Sequence, residues 1–73
     1  MGNAAQARTT EIRVDELTPG MVMVFGDYRY RVVATRRDDL APHSVRITHR
    51  AQHNQTEGAM RLPQYRKVAI LRD

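Results

Sequence analysis

The chain has 73 residues, no cysteine, no tryptophan and a formal charge of +4. That length holds one domain, and the missing thiols exclude disulfide staples and Cys-based zinc centres. The longest uninterrupted apolar run, Met21 to Phe25, is too short for a membrane span or a signal h-region, so a cytoplasmic protein that does not enter a membrane is expected.

Charge is unevenly spread along the chain. Residues 1–27 carry a net of −2 and residues 28–73 a net of +6, and eleven of the twelve cations are Arg. A guanidinium group binds phosphate and carboxylate in a bidentate fork, although GC-rich codon usage alone gives the same bias. A domain of this size buries only roughly 60% of its unfolded surface, so a dimer would add useful burial.

The start MGNAAQAR has no apolar pattern, and a disordered arm over 1–9 is expected before a domain over 10–73. Met1-Gly2-Asn3 opens like a myristoylation site, but Gln6 stands where Ser or Thr is required. Glu11-Ile12-Arg13-Val14 alternates polar with apolar, the period of a half-buried strand. Asp15 to Gly20 follows as a turn, with Leu17 tucked inward and Pro19-Gly20 suited to a type II turn.

Met21 to Phe25 and Tyr28 onward form a hairpin about Gly26-Asp27, a two-residue loop with Gly first and therefore a type II′ turn. That loop fixes the register: Phe25 faces Tyr28, Met23 faces Tyr30 and Met21 faces Val32, all on the core side. Val22, Val24, Arg29, Arg31 and Val33 occupy the other face, read as the outside. The second strand reaches Arg36 or Arg37, and Asp38 to His43 is a loop by its Asp and Pro content. Ser44 to Arg50 alternates again, with Val45, Ile47 and His49 inward and Arg46, Thr48 and Arg50 outward. A polar turn over His53–Gly58, a short strand Ala59–Leu62, a turn at Leu62–Tyr65 and a strand Lys67–Leu71 complete the chain.

Five or six short antiparallel strands with frequent turns predict an all-β fold, a small barrel or sandwich. The run Val14 to Val33, with Leu17 and Gly20 before the strand, the Met21/Met23/Phe25 face, the Gly-Asp turn and Tyr30-Arg31-Val32-Val33, resembles the SH3-like barrel that opens elongation factor P and its relatives. Val45-Arg46 and the Thr56-Glu57-Gly58 turn extend the likeness to about two-thirds of the chain. The resemblance implies an SH3-like barrel. It does not carry over the factor's activity, because the family's modified lysine belongs in the loop that here reads Asp38 to His43, and Lys67 is the only lysine. Size and GC-biased composition also resemble small single-barrel proteins of actinobacterial phages.

Candidate chemistry follows from the pattern. Arg29, Arg31, Arg46 and Arg50 would share an outward face and attract phosphates of RNA or DNA, with Tyr28 or Tyr65 near that face to stack a base. His49 and His53 stand about 13 Å apart on a strand, too far to share one metal ion, so one half-buried His49 and two loop histidines are expected and no cofactor. His43-Ser44 points apart on a strand, and Asp15/Glu16 and Asp38/Asp39 are turn formers, so no catalytic set is expected. Val68, Ile70 and Leu71 lie on a strand apolar on both faces. Read as an edge, it could recruit a partner such as a host protein by strand addition. The leading expectation is a nucleic-acid or ribonucleoprotein binder; the rival is a protein-interaction module.

Overall fold

Local chemistry sets each chain reversal. In the computed structural model, which describes residues 8–38 and 43–72, Thr18 C=O accepts from Met21 N–H at 3.2 Å across Pro19-Gly20, with Gly20 at φ +97°. That is the type II turn. Gly26 sits at φ +60° while Asp27 keeps a negative φ, the type II′ combination.

Six strands result: β1 (Arg8–Arg13), β2 (Val22–Phe25), β3 (Tyr28–Arg37), β4 (Ser44–Ala51), β5 (Glu57–Pro63) and β6 (Lys67–Arg72), with a 3₁₀ turn at Val14–Glu16. All pairings are antiparallel, in one sheet ordered β1-β6-β2-β3-β4-β5. The expected hairpin register holds, with Phe25 opposite Tyr28 and Met23 opposite Tyr30. Val32 N–H donates to Met21 C=O at 2.7 Å and Val32 C=O accepts from Gly20 N–H at 2.9 Å, so two residues share one partner as the strand enters the turn.

Beyond Val32 the register of β3 against β4 shifts, because Val33 is one residue too many between the pairs Val32–His49 and Ala34–Thr48. This bulge bends the longest strand and inverts its alternation. Thr35 and Arg37 now share the side of Ile47 and Val45, and Arg36 turns to the other side with Arg46.

The ladder between β1 and β6 continues past Arg13 into the turns that follow and precede these strands. Val14 N–H donates to Arg66 C=O at 2.8 Å and Asp15 N–H to Gln64 C=O at 3.1 Å. These bonds tie the 3₁₀ turn after β1 to the β5–β6 turn, and the core lies on one face of the sheet. Val14, Leu17, Met23, Val32, Val45, Ile47, Val68 and Ile70 form it, with Ile12, Met21, Phe25, Tyr30, Met60 and Leu62 packed against it.

Several expectations need correction. Arg8 and Thr9 are strand, opposite Arg72 and Leu71; the rest of the arm expected over 1–9 lies outside the described residues, as do Asp39–Pro42 of the expected loop. Val14 leaves the strand for the 3₁₀ turn. The strand expected at Ala59–Leu62 runs from Glu57 to Pro63, because Arg50 holds Glu57 in the ladder. Val22, read as outward, is only 8% exposed, since β3 and β6 flank β2 on both sides and Arg31 lies directly across from it.

Candidate nucleic-acid interface

Period-two alternation on β3, β4 and β5 sends one set of side chains away from the core. Arg31 stands opposite Arg50, and Arg50 opposite Glu57. At the other end of the same strands, Arg36 stands opposite Arg46, and Arg46 opposite Arg61. Arg29, two residues before Arg31, joins the first group on the same face. Between the groups, Ala34, Thr48 and Ala59 form a row of small side chains. Arg29, Arg31, Arg46 and Arg50 are therefore brought to one wall, as the alternation predicts.

Arg36 and Arg61 belong to it too. Arg61 was accessible to the same alternation argument, since Met60 and Leu62 flank it. Arg36 was not, because only the Val33 bulge turns it outward.

The six arginines face two carboxylates. Arg50 Nη2 donates to Glu57 Oε2 at 2.6 Å, and Arg61 pairs with Asp38. Arg31 Nη1 donates to the Gly20 carbonyl at 3.1 Å, a contact that leaves its charge uncompensated. Among the described residues no carboxylate pairs with Arg29, Arg31, Arg36 or Arg46. Two open depressions lie on this wall. One of about 490 Å³ is lined by Ala34, Thr35, Arg36, Arg46 and Thr48, and one of about 390 Å³ by Arg31, Arg50, Gln52 and Gln55.

The aromatic residues lie elsewhere. Tyr28 shares the parity of Tyr30 and Val32, so it belongs to the opposite face, where it meets the His53 ring at 4.9 Å. This corrects its expected place beside the arginines. Phe25 and His49 contact Tyr30 there at 5.9 and 5.0 Å, and Gly58 leaves room for the His49 imidazole, whose Cε1 would stand 3.1 Å from a Cβ at that position. Tyr65 is 62% exposed in the β5–β6 turn with the Arg13 guanidinium 4.9 Å from its ring centre. His49 is half-buried and His43 and His53 are exposed. Among the described residues no three His, Asp or Glu side chains gather as a metal site.

The expected docking edge is also corrected. β6 pairs with β1 on one side and β2 on the other, so it is interior to the sheet. Val68 and Ile70 are core residues and Leu71 is half-buried opposite Thr9, leaving no free ladder for strand addition there. The free edges are those of β1 and β5. Asp15 hydrogen-bonds Arg13, which holds its carboxyl below the usual range and raises the guanidinium pKa in turn. No helix among the described residues is long and apolar enough to cross a membrane.

No protein-family model matches the chain, and no curated protein matches it.

Proposed function

We propose that this chain is a non-catalytic nucleic-acid-binding module, folded as a small SH3-like barrel, which contacts RNA, DNA or a ribonucleoprotein through its arginine wall. One observation carries the reading: six arginines of β3, β4 and β5 share a face, and among the described residues two of them pair with carboxylates. Six guanidinium groups gathered on three adjacent strands are an electrostatic footprint for phosphates. Guanidinium forks also suit phosphate oxygens in geometry. The barrel reading rests on the single six-stranded antiparallel sheet with its one-sided core, and on the likeness of Val14 to Val33 to the opening barrel of elongation factor P.

The reading predicts that the purified chain is retained on immobilised RNA or DNA at low salt and released as salt rises. Replacing Arg31 and Arg46 together by Glu converts two attractive charges to repulsive ones, one in each group, and should abolish that retention. Both side chains are exposed, so circular dichroism should show an unchanged fold. Unaltered retention of the folded double variant would refute the proposal.

A further inference from the structure

Given that this wall binds nucleic acid, the reading on which this inference rests, the arrangement of the arginines narrows the ligand further than their number does. The cations form two groups at opposite ends of the same strands: Arg29, Arg31 and Arg50 at one end, Arg36, Arg46 and Arg61 at the other. Arg46 and Arg50 lie four residues apart on β4, a backbone separation of about 13 Å at the rise of an extended strand. Each group has its own depression beside it, and each has one arginine held by a carboxylate and two that are not.

The floor between the groups is Ala34, Thr48 and Ala59. It offers no ring to a base. The chain has one Phe, three Tyr and no Trp. Phe25, Tyr28 and Tyr30 belong to the opposite face, and Tyr65 sits in the β5–β6 turn against Arg13. Proteins that hold single strands rely on stacking bases over aromatic side chains, a platform the floor between the two groups lacks. A double helix presents the complementary pattern. Its bases are stacked away internally, and its two phosphate backbones border a groove; the major groove of B-form DNA is about 12 Å wide.

We infer that the wall takes a double-helical nucleic acid, with the two arginine groups addressing phosphates on the two sides of one groove. Contacts of this kind fix orientation and carry no sequence information directly. The binding is therefore indifferent to base sequence and sensitive to strandedness.

The test compares three labelled probes of equal length by fluorescence anisotropy at one low salt concentration: a 16-bp DNA duplex, a 16-bp RNA duplex, and a 16-nucleotide single strand of mixed sequence. At least one duplex should bind tenfold or more tightly than the single strand, and scrambling its sequence should change affinity less than threefold. Arg31→Gln and Arg46→Gln, one from each group, should each weaken duplex binding. Arg8→Gln, whose side chain has the parity of the opposite face, should not, and neither should Tyr28→Ala or Tyr65→Ala. A single strand bound as tightly as either duplex, with the same arginines required, would overturn the duplex inference and leave the proposed nucleic-acid wall standing. So would a loss of affinity in either tyrosine variant. Failure of all three probes to bind would overturn both.

Discussion

Removing charge from the arginine wall should change how binding responds to salt, and the size of that change follows from which arginines lack a carboxylate. Among the described residues no carboxylate pairs with Arg29, Arg31, Arg36 or Arg46, whereas Arg50 and Arg61 are held by Glu57 and Asp38. Four phosphates neutralised on a duplex give a slope of log K against log salt of about −3.6. Raising salt from 50 to 200 mM then weakens binding by about 150-fold. The double variant Arg36→Gln/Arg46→Gln keeps two of those contacts, so its slope should fall to about −1.8 and its loss over the same range to about 12-fold. Deleting a neutral pair, Arg50→Gln with Glu57→Gln, should leave the slope near the parental value. Anisotropy titrations of a labelled duplex across this salt range measure all three proteins. A parental slope shallower than about −2, or a slope unmoved by the Arg36/Arg46 change, would refute the assignment of uncompensated charge to this wall.

Three further outcomes test the fold that presents the wall. Gly26→Ala should lower stability by about 1–2 kcal/mol, because φ of +60° is costly for any residue with a Cβ. Open space surrounds that position, so the urea midpoint should fall with no change in m-value, and an unchanged midpoint would count against the type II′ turn. Ile47 is fully buried, and Ile47→Ala should cost about 2–5 kcal/mol. A core this small supplies only about 3–5 kcal/mol, so the variant should be largely unfolded at 37 °C by circular dichroism. Finally, the hydrogen bond from Arg13 depresses the Asp15 pKa. That interaction favours the folded state above the unfolded carboxylate value of about 3.9, and its contribution is lost as pH falls through the lower folded-state value. NMR titration should place the Asp15 midpoint below the ordinary range and return it there in Arg13→Gln; equal midpoints in both proteins would sink the pairing.

Short-range chemistry was legible in the chain itself. Pro19-Gly20 and Gly26-Asp27 specify their turns because only glycine takes positive φ without strain, and the two-residue loop then dictates which residues face each other. Alternation in Ser44–Arg50 separates Val45, Ile47 and His49 from Arg46, Thr48 and Arg50, so most of the core and four of the wall's arginines could be named from sequence. Most of what the sequence missed depends on non-local pairing. The Val33 bulge turns Arg36 outward, and alternation alone places that residue with the core. Parity alone already separates Tyr28, paired with Phe25, from Arg29 and Arg31 on the other face. An apolar run such as Val68–Leu71 reads the same at an edge or in the interior. Only the insertion of β6 between β1 and β2 decides that its hydrogen bonds are already used, because ladder partners are chosen by the assembled sheet and not by the strand's own residues.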